Sequence, residues 1–282
     1  MKKSTLSLIA RWAVLIVVLA AIYLPLVLIV VYSFSSARNV GDSFGTFTFQ
    51  LYQNLITSDA LLAATRNTLI IGVVSALLAT ILGTTAAVGI HYMRRRFRTV
   101  VDSASQITVV NAEIVTAMAF FILMIFLRDT IRLPINFGLG WLIVAHTVIT
   151  TPYVILNVSP RLKQLNPNLL EASMDLGAGP MRSLFTVMLP QLAGAMVSGF
   201  ALAFTLSLDD FVVTNINSVG SGVQTLSTFV YSSVKLHGIP SEIRAVSTIL
   251  FAVVMAVLII YNVVKNKQQK DAAKRHKDKG EK

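Results

Sequence analysis

Three carboxylates sit where carboxylates are costly. Most of the 13 Asp and Glu residues in this 282-residue chain fall between apolar runs or in the tail, but Glu113, Asp209 and Asp210 fall within such runs. A carboxylate at the centre of a bilayer costs on the order of 2.5–3.5 kcal/mol by insertion scales. Such a group faces a cavity or a partner, and by default it marks a path for ions or polar solutes. No Lys or Arg lies within the same runs to neutralise these acids. Unneutralised acids lining a cavity suit a cationic solute, and a flexible multi-cation would be held by separated carboxylates and by aromatic faces. Tyr231 is a candidate for an aromatic contact on the outer side. A structural reading stands beside each functional one: burial of Glu113 against a neighbouring helix, and a helix-ending role for Asp209 and Asp210 at the outer interface. Adjacent helical residues do not share a face, so at most one of the two aspartates points into a cavity. His146 reads as a hydrogen-bonded interior residue, and Trp12 and Trp141 as interfacial anchors.

Enzymatic chemistry finds no support. The chain has no cysteine, hence no disulfide framework, thiolate metal site or thiol nucleophile. There is no HExxH, no GxSxG, no Cys/His cluster and no Gly-rich phosphate loop. The pair Asp209-Asp210 lacks the Gly-x-Gly-Asp setting of an intramembrane aspartyl protease. The expectation is a chain with no catalytic residue, no metal and no cofactor of its own.

The elements that must position these acids are membrane helices. The chain is 55% hydrophobic and 13% charged, with a mean hydropathy of +0.71, so apolar surface must face lipid. A span needs roughly 20 apolar residues. Six runs qualify: 12–32, 68–90, 104–127 (interrupted by polar residues), 138–158, 192–213 and 245–264. The first follows Lys2 and Lys3 but is longer than a signal peptide's apolar region and continues through Pro25, so it reads as a retained span. The expected fold is all-α and polytopic, with a transmembrane domain over 1–264 and a basic cytoplasmic tail over 265–282.

Net charge is +11, with the basic residues at the ends of apolar runs. With the N-terminus inside, 18 of the 24 Lys and Arg lie in internal segments and six in external ones, so both termini are expected in the cytoplasm. The lysine-rich tail reads as a headgroup-binding end rather than a nucleic-acid site. The external segment 33–67 is polar and aromatic and is expected to hold a short helix near Leu51–Thr57.

The internal connection 159–190 is too polar to span and too patterned for a plain linker. Asn166 is a candidate N-cap, Pro167 suits a first helical turn, and Glu171 lies near that positive helix end. Leu170, Met174 and Gly177 recur at helical spacing, and Gly177 has the chemistry of a helix stop. Pro180 opens a second helix with Met181, Phe185 and Met188 on one face, which Pro190 closes. An exposed amphipathic pair of this kind suits docking into a groove on another protein.

Glu171-Ala172-Ser173, then Gly177, Val187 and Leu189-Pro190, resemble the EAA loop of ABC-importer permeases, whose pattern is Glu-Ala-Ala, three residues, Gly, nine residues, Ile, one residue, Leu-Pro. Ser173 replaces the third Ala and Val187 the Ile, with the spacing kept. The runs 171–177 and 203–211, and the stretches 224–226, 240–243 and 245–248, are similar to spermidine/putrescine permeases of the PotC and PotI type. Around the third span those permeases tend to place Pro before the acid; here Ala112 precedes Glu113, so the residue that would break the helix is missing.

The resemblance implies the type I (MetI-like) importer fold in a bacterial inner membrane and alternating access driven from outside the chain. Glu171, Ala172, Ser173, Asp175, Gly177, Leu189 and Pro190 would couple the chain to an ABC ATPase dimer, which would hold the ATP and Mg. A second homologous permease, an extracytoplasmic substrate-binding protein and a polyamine substrate are the other implied partners, beside membrane lipid. Glu113, Asp209, Asp210 and Tyr231 would line the path. Two alternatives stay open: an ABC permease for another solute such as thiamine, iron or an oxyanion, and a stand-alone secondary transporter.

Overall fold

Helix-length apolar runs become helices because backbone groups in lipid must be satisfied within their own segment. A computed structural model describes residues 2–37, 43–166, 168–237, 241, 243–249, 251–252 and 255. Eleven helices are named among them, and the one extended pairing is an isolated bridge between Ser35 and Phe47. Four helical stretches are long and apolar enough to cross a membrane: Arg11–Tyr32, Asp59–Tyr92, Leu139–Gln164 and Pro180–Asp209. The sixth expected span, 245–264, and the tail 265–282 lie largely or wholly outside the described residues.

The chain divides into two units. The first comprises 1–59 and 232–282. Its α1, Lys2–Tyr32, is exposed at every residue from Arg11 to Leu28, an apolar surface for lipid or protein. The expected short external helix is α2, Gln50–Thr57. An aromatic cluster fixes it: Phe34 stacks on Phe47 and Tyr52, with centroids 5.6 and 5.3 Å apart, and Ser33 Oγ lies 2.8 Å from the Tyr52 hydroxyl. Arg244 donates from Nη2 to the Ala37 carbonyl at 2.7 Å within the same unit.

The second unit, 60–231, holds the core. Three long helices, α3 (Asp59–Tyr92), α6 (Leu139–Gln164) and α9 (Leu189–Asp209), pack through small residues: Ala76, Ala79, Ala87 and Ala203 are buried around Val154, Val158 and Leu192. Small residues permit the close backbone approach on which helix association in lipid depends. Pro152 and Pro160 lie inside α6, where Thr147, Thr150 and Thr151 hydroxyls donate to backbone carbonyls one turn earlier.

The run 104–127 is not one helix. It belongs to α4 (Arg95–Val110) and α5 (Glu113–Ile125), parted where Asn111 and Ala112 are extended, at ψ 146° and 131°. The break therefore persists without the proline. Asn111 is poorly suited to a helix interior because its amide competes for hydrogen bonds, and here it donates to Thr116 Oγ1 at 3.3 Å. A π-helical turn, Phe126–Thr130, ends α5. There Arg128 hydrogen-bonds Asp129 at 2.7 Å and holds its carboxyl below the ordinary range.

The fifth span also departs from expectation. It starts earlier: the second loop helix, α8 (Pro180–Ser183), runs through a π-helical turn, Leu184–Met188, directly into α9. Leu189-Pro190 is thus no boundary. A proline within a helix lacks a donor and crowds the carbonyl four residues back, and the wide turn just ahead of Pro190 absorbs both defects. The span also ends earlier, at Asp209; Asp210 is extended (ψ 124°) and a short α10, Val212–Asn217, follows. The last named helix is α11, Leu226–His237.

Candidate functional site

Two helical stretches in the second unit, α4–α5 and α9–α10, are broken, and each break carries acid. Glu113 opens α5, where the positive helix end favours an ionised carboxylate. It follows α4, which begins at Arg95 and is sixteen residues, about 24 Å, long. Asp209 and Asp210 stand at the second break. α10 packs along α5 through Ala117, Val213 and Ala145 of α6, so α5 and α10 form a pair.

The neighbouring aspartates do different things. Asp210 turns inward and caps α10: its carboxylate accepts from the backbone N–H of Val213 (3.3 Å) and Thr214 (2.9 Å) and from Thr214 Oγ1 (2.9 Å). His146 Nε2 is 3.5 Å away. Of the paired expectation for 209 and 210, the helix-terminus role therefore falls to Asp210. Asp209 is exposed, as is Glu113, and neither side chain has a hydrogen bond or ion pair among the described residues.

His146 is buried at 2% exposure and ties three elements together. Its Nε2 is 3.0 Å from Thr214 Oγ1 and its Nδ1 2.7 Å from Ser207 Oγ. Thr214 has one hydroxyl hydrogen and gives it to Asp210, so Nε2 must donate and carries a proton. The chain Ser207–His146–Thr214–Asp210 thus crosses the α9–α10 break by way of α6. The interior reading of His146 holds, but a lone histidine in an apolar run carried no sign of which break it closes. From the far side, Ser227 Oγ donates to the Asp210 carbonyl at 2.8 Å.

Tyr231 lies beside this break. Its ring meets that of Phe211 at 4.7 Å and it is half exposed. Phe211 was not singled out in the sequence, although its place next to two aspartates was visible there. Trp141, expected as an interfacial anchor, also makes a specific bond. It donates from Nε1 to Asn217 Oδ1 at 3.0 Å, with its ring edge-on to Phe120.

The loop 159–190 is built largely as its capping chemistry dictates. Asn166 Oδ1 accepts from the Asn168 N–H at 3.1 Å, opening α7, Asn168–Asp175. Gly177 stands at φ +88°, with its N–H on the Met174 carbonyl and the Ala178 N–H on that of Ser173. This is a Schellman stop, which needs a left-handed residue. Ser173, the departure from the motif, is 3.0 Å from the fully buried Ser183 Oγ of α8 and so ties the two short helices together. Glu171, Ala172, Asp175, Leu176, Met181 and Phe185 are exposed. Met188 is buried in the core instead of sharing the face of Met181 and Phe185.

The profile of the family described as "Binding-protein-dependent transport system inner membrane component" matches residues 79–267. The chain belongs to this family. It is 36% identical over 247 residues to the putrescine transport system permease protein PotI of Escherichia coli strain K12, covering 86% of each chain. It is 32% identical over 245 residues to the spermidine/putrescine transport system permease protein PotC of the same strain, covering 87% of this chain and 89% of that one. Among solved structures, a bacterial ABC transporter that imports the acidic polysaccharide alginate matches 94% of the chain at TM-score 0.70 and 16% identity, covering 98% of that structure's chain. The chain therefore has the fold of an ABC-importer permease.

Proposed function

We propose that this permease carries polyamines, putrescine or spermidine, inward across the membrane by alternating access driven by a separate ABC ATPase dimer. The observation that carries the substrate is the pair of exposed acids at adjoining helix breaks, Glu113 and Asp209, in a chain whose relatives are named for putrescine and spermidine. Separated carboxylates fit separated ammonium groups, and the Phe211–Tyr231 pair supplies aromatic faces for cation–π contact. The alginate transporter shares the fold and carries an anion, so cargo follows from pathway residues and not from the scaffold.

The ATPase would dock on α7 and α8, with Glu171, Asp175, Leu176, Met181 and Phe185 as the exposed face. The continuous helix Pro180–Asp209, 30 residues and about 45 Å long, would carry that movement from the loop to the α9–α10 break. A second homologous permease would supply the rest of the pathway, and a substrate-binding protein would deliver the amine from outside. Both termini lie in the cytoplasm, and the chain binds no nucleotide, metal or cofactor of its own.

The test is ATP-dependent uptake of radiolabelled putrescine and spermidine by the complex reconstituted with its ATPase, partner permease and binding protein. Uptake that unlabelled polyamines compete away is expected. Uptake blocked instead by thiamine or ferric ion would overturn the substrate.

A further inference from the structure

Asn217 closes α10 and is fully buried. Its Nδ2 donates to the backbone carbonyl of Ala117 on α5 and to that of Val213 on α10, both at 3.1 Å, and its Oδ1 accepts the Trp141 Nε1 hydrogen at 3.0 Å. Both amide hydrogens are used, across three elements. A buried amide satisfied in this way selects one arrangement, since any slide of α10 along α5 strands its donors.

The two half-helices it joins are the ones that follow the acids. α5 opens on Glu113, and α10 follows Asp209 by way of the cap Asp210. No helical ladder of hydrogen bonds continues across 111–112 or 210–211, so the offset between the two breaks must be set by contacts between helices and not along either one. Apolar packing of Ala117, Ala145 and Val213 holds the pair together but tolerates sliding; the directional bonds of Asn217 do not.

We infer that Asn217, oriented by Trp141, is a positioning residue for specificity. It fixes the separation of the Glu113 and Asp209 carboxylates and with it the length of diamine the pathway prefers. This rests on the polyamine reading above. The ammonium groups of a linear diamine stand farther apart with each methylene, so a fixed pair of carboxylates discriminates by length.

The experiment is ATP-driven uptake by the full reconstituted complex across a series of α,ω-diamines from diaminopropane to diaminohexane. Asn217→Leu, close in size, is expected to change the ratio of KM values between putrescine and the longer diamines by about tenfold, the worth of one misplaced charge-assisted contact. Trp141→Phe removes the N–H donor and the five-membered part of the indole but leaves an aromatic ring and both Asn217 donor bonds, and is expected to move the ratio less and in the same direction. It also gives a reading should Asn217→Leu fail to reach the membrane. Gly83→Ala, which loosens the bundle elsewhere, should lower uptake with no change in ratio. A common factor across all lengths, or ratios identical to wild type, would overturn the inference while leaving the polyamine reading intact. Wild-type complex that imports no diamine would overturn both.

Discussion

No side chain fits between Gly83 and Val154. A Cβ on Gly83 would lie 2.7 Å from that of Val154 and 3.1 Å from the Thr151 carbonyl oxygen. From the other side, a Cβ on Gly199 would lie 3.2 Å from Val154 Cγ1. One valine of α6 is thus received by glycines on α3 and α9, and this contact sets how closely the three core helices approach.

Gly83→Ala is therefore expected to push the helices apart and cost about 1–3 kcal/mol, as overpacking does. Val154→Ala introduced with it removes Cγ1, which the new Cβ would meet at 2.8 Å, but keeps the Val154 Cβ, and so should recover part of the loss. The measurement is thermal unfolding of the detergent-solubilised protein; a double variant no more stable than Gly83→Ala would show that this contact is not the cause.

The two aspartates should separate by readout. Asp210→Asn weakens the α10 cap and is expected to cost about 0.5–2 kcal/mol of stability. Asp209→Asn touches an exposed group and should stay within about 0.5 kcal/mol while raising KM for polyamine. Thermal unfolding and uptake kinetics on both variants decide the matter, and the reverse pattern would reassign the pathway acid.

His146→Leu should leave the Ser207 hydroxyl without its partner, at about 1–3 kcal/mol, while Thr214 keeps its bond to Asp210. Adding Ser207→Ala removes the stranded group and should raise Tm again. Unchanged Tm in the single variant would contradict the bridging role.

Ser173→Ala restores the common residue of the loop motif but leaves the buried Ser183 hydroxyl unpartnered, and should cost about 1–3 kcal/mol. Ser173→Ala with Ser183→Ala should be nearly neutral, because neither group is then left wanting. Comparing the single and double variants by thermal unfolding and by retention of the ATPase on purification tests the tie between α7 and α8.

Gly177 has open space around it, so only its backbone resists substitution. At φ +88°, Ala should cost about 1–2 kcal/mol, and Asn less. Uptake is expected to fall in the order Gly, Asn, Ala. Equal uptake by all three would mean the stop at Gly177 does not matter for coupling.

Much of the loop was legible in the residues. Asn166 caps α7 and Gly177 ends it, because capping and left-handed stops are settled within a few residues. The short helix expected near Leu51–Thr57 was legible too, in the polar and aromatic make-up of its own segment. The course of the chain at Pro190 was not: proline signals a boundary, yet a π-helical turn lets the helix pass. Nor was the break at Asn111, since Ala112 has no intrinsic reason to be extended. The acids were found as a set, but not their division of labour. Asp210 is held by Thr214, four residues on, and stands beside His146 on another helix, whereas its neighbour is left exposed.

The residues alone determined that this chain is helical and membrane-spanning, that it carries acids within apolar runs, and that one loop has the pattern of a docking element. Those properties are local: they follow from apolar run lengths, charge and spacing along the chain. Tertiary structure decided which aspartate is free, that His146 and Asn217 tie broken helices to their neighbours, and that α8 continues into α9. The hydrogen bonds of Asn217 to Ala117 and Trp141 join positions 100 and 76 residues apart. No periodicity in a single sequence reports which side chains meet across such distances, because that depends on how helices with interchangeable apolar faces choose their partners.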